Sequence, residues 1–134
     1  MNRKLEALVW KRANHCCEYC HIPQEYEMLP AEIDHVIPEV HGGQTTSANL
    51  ALSCFWCNRY KGPNLAGIDP QTKQHSLVPS TAAFVGFHFR WDGAILRGKT
   101  PIGRTTLRVL KINSPLRLAL REELILAGLM VTHS

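Results

Sequence analysis

Two Cys-x-x-Cys pairs, Cys17-Glu18-Tyr19-Cys20 and Cys54-Phe55-Trp56-Cys57, constrain this 134-residue chain more than any other feature. In such a turn two thiolates converge on one side of the backbone. Two turns together supply the four tetrahedral ligands of a closed structural zinc site, each about 2.3 Å from the ion. The other readings are a set of unrelated buried cysteines or a single redox pair. Redox chemistry needs only one pair, and the strand-helix setting of a thioredoxin-like motif is missing. Five cysteines are an odd number, and the opening Met1-Asn2-Arg3-Lys4-Leu5-Glu6 lacks the apolar run of a secretion signal, so a disulfide framework is not expected. Cys16 is left over. A register in which it replaces Cys17 would give a three-residue spacer, and His15 and His21 flank the first pair as competing ligands.

The length suits one globular core. Apolar stretches are broken within a few residues by Arg, Lys, Gly or Pro, short of the roughly 20 residues a membrane helix needs. A soluble cytoplasmic protein without membrane contact is the expectation. The formal charge of +4 is uneven: residues 1–63 hold six Lys/Arg against seven Asp/Glu, and residues 64–134 hold nine against four. The basic half calls for an anionic partner.

Leu5, Leu8 and Val9 at helical spacing predict a short helix over Leu5–Asn14. Ala31–Ile37 reads as a strand ended by Pro38, and His41–Thr46 as a flexible tract. Ser47–Leu52 fits a strand or a single turn, and a helix runs from about Phe55 to Lys61, closed by Gly62-Pro63. Residues 64–79 read as a loop. Phe87, Phe89 and Trp91 alternate, and Asp92-Gly93 supplies a turn, so residues 84–96 predict a β-hairpin with His88 on the face opposite those aromatics. Thr100-Pro101 and Ser114-Pro115 each resemble an N-cap followed by a first-turn proline, predicting helices through Ile112 and up to Gly128. Leu116, Leu120 and Leu124 recur along the second.

Between the cysteine pairs stand Ile33-Asp34-His35-Val36-Ile37-Pro38, Gly42-Gly43 and Asn49-Leu50. The second pair continues into Asn58-Arg59-Tyr60-Lys61-Gly62. In this order the segments resemble the HNH endonucleases of the ββα-metal fold, over about residues 13–63. A fainter likeness, carried by His88–Trp91, Thr100–Thr106, Leu110–Asn113 and Arg121, is to the extension of small stand-alone bacterial HNH proteins. The expected architecture is α+β: residues 1–63 form an N-terminal helix and an HNH module with a structural zinc, and residues 64–134 form a basic extension of a hairpin and two helices packed on the same domain.

Phosphodiester hydrolysis needs a base for the attacking water, a cation on the phosphate oxygens and stabilisation of the leaving 3′ oxygen. A hard cation such as Mg²⁺ or Mn²⁺ prefers oxygen ligands and keeps several waters, so one carboxylate and one side-chain carbonyl suffice, and Asp34 and Asn58 fit. The resemblance implies that His35 is the general base, a role suited to imidazole with its ordinary pKa of about 6.5. It also implies that Asn49 fixes the loop that orients this histidine without touching the metal. Arg59 and Lys61 are candidates for phosphate contact, and His41 for a further metal or phosphate contact. Arg90, Arg97, Lys99, Arg104, Arg108, Lys111, Arg117 and Arg121 are candidates for salt-dependent backbone contacts. The implied activity is DNA cleavage leaving 5′-phosphate and 3′-hydroxyl ends. The competing reading is a zinc-stabilised DNA-binding module without cleavage.

Overall fold

The computed structural model describes residues 1–64, 66–77 and 85–132. Helix α1 (Arg3–Arg12) starts where the Asn2 side chain accepts the Leu5 amide, 2.8 Å away. It buries Val9 against Leu50 and Leu52 while Leu8 stays exposed. Arg12 ties this helix to the first cysteine turn and to the segment around Leu50. Its guanidinium donates to both Glu18 carboxylate oxygens and to the carbonyls of Ser47 and Leu50, and Glu18 in turn accepts the Leu52 amide.

Strands β1 (Glu32–His35) and β2 (Leu50–Ser53) pair antiparallel, with Asp34 opposite Ala51 and His35 opposite Leu50. The ambiguous Ser47–Leu52 stretch resolves into a short 3-10 turn, Ser47–Asn49, running into β2. Helix α2 (Phe55–Lys61) follows at once, with Cys54 as its cap residue and Gly62 at its end, at φ +50°. The predicted bounds of this helix hold.

The expected loop after residue 64 is in part a second hairpin. Strand β3 (Ala66–Ile68) pairs with β4 (His75–Leu77), and both pack against a later helix, α4 (Pro101–Val109). Gly67 sits so close to that helix that a Cβ would lie 2.6 Å from Val109 Cγ2. Leu65 and residues 78–84, including the start of the predicted aromatic strand at Phe84, lie outside the described residues.

The aromatic hairpin forms, but later than expected. Residues Val85–His88 make one helical turn, α3, and the strands are β5 (Phe89–Asp92) and β6 (Ile95–Gly98) around Gly93 at φ +61°. His88 therefore does not take the predicted strand face: its ring is buried, with Nδ1 2.8 Å from Thr100 Oγ1. Helix α4 is capped by Thr100 Oγ1 accepting the Gly103 amide. Helix α5 (Pro115–Leu126) begins at the second proline, although the Ser114 side chain makes no cap bond. Of the predicted stripe on α5, Leu124 is buried and Leu120 packs against the core, whereas Leu116 is exposed and Arg121 is buried beside them.

One buried cluster joins the two halves of the sequence. It holds Cys17, Cys20, Ile22, Cys54 and Cys57 together with Phe89, Leu96, Leu110, Ile112, Leu124 and Met130. The mixed helix and small-sheet architecture is α+β, as expected.

Candidate active site and metal centre

The Sγ atoms of Cys17, Cys20, Cys54 and Cys57 lie within 4.8 Å of one another, and all four residues are buried. Ligands 2.3 Å from a central zinc stand about 3.8 Å apart at the corners of a tetrahedron. The Cys20–Cys54 sulfur separation is 3.8 Å. In each pair the first sulfur also accepts the second cysteine's amide at 3.4 Å, which turns both thiols to one side. Hydrogen bonds from Cys17, Cys54 and Cys57 hold the Cys20 thiol well below the usual thiol range, with Arg117 adding to the effect, while burial pushes Cys17 well up. The set suits a tetrahedral zinc ion. Cys16 lies outside it with its thiol donating to Asn14 O, which decides the register in favour of Cys17. His15 and His21 are also outside the set; their rings pack on Trp10 and Trp91.

A cleft of about 300 Å³ opens where β1 meets the end of α2, bordered by Glu32, Asp34, His35, Glu39 and Asn58. Period two puts Glu32 and Asp34 on one strand face. Asn58 Nδ2 donates to Glu32 Oε2 at 2.9 Å. Asp34 Oδ2 takes two donors, Tyr19 Oη and Lys61 Nζ, each 3.0 Å away. His35 Nε2 lies 2.9 Å from Thr45 Oγ1 and 3.2 Å from Glu39 Oε1. Among the described residues neither Asp34 Oδ1 nor His35 Nδ1 has a hydrogen-bond partner.

The family model for HNH endonucleases matches residues 17–64. Residues 17–64 are an HNH endonuclease domain. Its ββα-metal unit is β1, β2 and α2, and the match takes in both cysteine pairs and the whole cleft. No curated protein and no solved structure matches the chain.

Within the HNH domain Asn49 is buried and spends its whole side chain on the loop after β1. Its Oδ1 accepts the Ile37 amide, and its Nδ2 donates to the carbonyls of Ile37 and Gln44. Val36 N donates to Asn49 O in the same place. The paired glycines serve this loop. Gly42 sits at φ +85°, and a Cβ on Gly43 would lie 1.7 Å from Ile37 O. His41 is exposed in the short 3-10 turn Glu39–His41 and does not border the cleft.

Lys61 departs from the expectation of a surface phosphate contact. Its side chain is 0% exposed, and its amino group donates to Asp34 Oδ2 and His35 O. A buried ammonium needs a carboxylate more than an α-helix end needs a surface cation, so the side chain turns inward. Arg59 is exposed on the same helix. Three of the arginines assigned to DNA contact are likewise engaged inside the protein. Arg104 makes a two-toothed pair with buried Asp69, Arg117 pairs with Glu27, and fully buried Arg121 donates to Ala94 O, Ile112 O and Asn113 Oδ1.

Tyr19, Glu32, Glu39 and Thr45 border or hold this site, and none was singled out from the sequence. Two left a signal: Tyr19 by its place inside a Cys-x-x-Cys turn, and Glu39 by standing four residues after His35.

Proposed function

We propose that the protein is a metal-dependent DNA endonuclease whose hydrolytic centre is the cleft between β1 and α2. What carries the reading is that Asp34, His35 and Asn58 border one cleft, each with an acceptor atom still uncommitted. An ionised carboxylate only accepts hydrogen bonds. Glu32 therefore fixes the Asn58 amide with its nitrogen on Glu32, leaving Oδ1 for the cleft. By the same rule Glu39 keeps the proton on His35 Nε2, so that Nδ1 is the basic atom. Asp34 Oδ1 and Asn58 Oδ1 would hold Mg²⁺ or Mn²⁺. That cation, when bound, supplies charge neutralisation for the phosphate and the leaving oxygen.

His35 Nδ1 takes the proton of the attacking water, the water oxygen bonds to phosphorus, and the P–O3′ bond breaks with its electron pair left on O3′. The products are a 5′-phosphate and, after proton uptake, a 3′-hydroxyl. Asn49 acts on His35 only through the loop it ties down. Arg59 is available to a DNA phosphate. Zinc on the four cysteines holds the Cys17–Cys20 turn, β2 and the start of α2 together. We read residues 1–63 as the catalytic module and residues 64–134 as an extension on the same domain, a reading supported by their shared buried cluster. No described helix is long and apolar enough to cross a membrane, and cysteines without disulfides suit a reducing compartment such as the cytoplasm.

The test is incubation of purified protein with supercoiled plasmid in Mg²⁺ or Mn²⁺, then with excess EDTA, followed by end-group analysis. Cleavage that stops in EDTA, falls in Asn58→Ala and leaves 5′-phosphates is expected. DNA retention in a gel-shift experiment without cleavage under any metal would favour the binding-module reading instead.

A further inference from the structure

The extension sends a cation back into the metal centre. Arg117, on the first turn of α5, places Nη2 3.5 Å from Cys20 Sγ and 3.4 Å from Cys54 Sγ, one sulfur from each pair. Its Nη1 donates to Glu27 Oε1 at 2.7 Å, and both side chains are almost enclosed, at 11% and 4% exposure. One turn further on, Arg121 is fully buried, yet its hydrogen-bond partners are two carbonyls and an amide oxygen, all neutral. Its guanidinium also lies 5.8 Å over the Trp91 ring.

Zn²⁺ with four thiolates carries a net charge of −2. In an interior of low dielectric such a charge is costly unless donors and cations surround it. Arg117 meets that need directly, and Arg121 is a buried cation that no carboxylate offsets among its hydrogen-bond partners. Outer-shell groups of this kind tune metal centres as much as the ligands do.

We propose that Arg117 is the outer-shell cation of the thiolate centre, and that α5 thereby clamps the metal in place. This rests on the zinc reading of the four cysteines. The Glu27–Arg117 pair sets the guanidinium across the gap between the cysteine pairs, so that release of the ion requires α5 to lose its anionic partner. The positive charge of the extension is then spent partly on the metal and not wholly on DNA.

The experiment begins with the zinc content of the wild-type protein. No zinc would sink the reading beneath the proposal, independently of Arg117. With about one zinc per chain established, transfer of zinc to a chromophoric chelator is followed in wild type, Arg117→Gln and Arg117→Lys, with exposed Arg108→Gln as a control. We expect apparent zinc affinity to fall about 10- to 100-fold in Arg117→Gln, less in Arg117→Lys, and not at all in the control. The Co²⁺-substituted protein is read alongside, and its sulfur-to-metal charge-transfer bands are expected to shift in Arg117→Gln. If Arg117→Gln does not fold, Arg117→Lys carries both measurements. Wild-type transfer kinetics, or faster transfer with unmoved Co²⁺ bands, would overturn the proposal, the second outcome making Arg117 a packing residue only.

Discussion

Tyr19, between the two cysteines of the first pair, donates its hydroxyl to Asp34 Oδ2 at 3.0 Å. A single side chain thus connects the first cysteine pair to the carboxylate of the cleft. Burial and the adjacent Asp34 push the Tyr19 hydroxyl well above its ordinary range, so it stays a donor at any working pH. Oδ2 is held by Tyr19 and Lys61 together, which leaves Oδ1 as the oxygen available to the cation of the proposed mechanism.

Removing that hydroxyl isolates its contribution. In Tyr19→Phe the Mg²⁺ concentration for half-maximal cleavage is expected to rise about 10-fold or more, with zinc content unchanged. Titration of the cleavage rate with Mg²⁺, beside a metal analysis, checks both. Loss of zinc would mean that the hydroxyl supports the fold of the first cysteine pair and not the Asp34 carboxylate alone.

Glu39 is expected to set the His35 tautomer. Glu39→Gln replaces an obligatory acceptor with a group that can also donate, which allows the proton to move to Nδ1. Cleavage is expected to fall at least about tenfold, with DNA retention in a gel-shift experiment unaltered. A wild-type rate would assign the proton on Nε2 to Thr45 or to solvent instead.

Much of this was legible from residue order because the chemistry lies in short contiguous segments. The α2 bounds follow from a cysteine turn at one end and Gly62-Pro63 at the other, and the start of α4 from Thr100-Pro101. What escaped depends on partners distant in sequence. Strands β3 and β4 are three residues each, too short for alternation to register, and they exist by packing on α4. The charge of Lys61, Arg104, Arg117 and Arg121 reads from sequence as surface charge. Only the fold reveals that Asp34, Asp69, Glu27 and the cysteines draw three of them inward and that backbone carbonyls enclose the fourth.

The loop after β1 should tolerate no side chain at Gly43. Gly43→Ala forces the Ile37 carbonyl and the Asn49 amide apart, at a cost of about 1–3 kcal/mol, and should slow cleavage by loosening the segment that carries Glu39. Urea unfolding and cleavage rates of Gly43→Ala and Gly42→Ala test this. The second variant is strained by φ +85° but meets no neighbouring atom within 4 Å.

Acid should act through Asp69. Hydrogen bonds from Arg104, with others from Gln71 N and Thr72 Oγ1, hold its carboxyl well below the ordinary carboxylate range. The unfolded chain therefore binds this proton more readily than the folded one. The stabilisation is complete above the ordinary carboxylate pKa of about 4 and fades as pH falls below it. Urea midpoints measured from pH 7 to pH 2 should show Asp69→Asn less stable at pH 7, with the gap to wild type closing in acid. A gap that stays constant with pH would contradict the linkage.

The central claim is that the cleft hydrolyses DNA with His35 as its base. The most direct measurement is the rate of plasmid cleavage by His35→Ala beside wild type at saturating Mg²⁺, with zinc content and DNA retention matched between them. A loss of about 10²- to 10⁴-fold is expected. Cleavage by His35→Ala at the wild-type rate would contradict the claim.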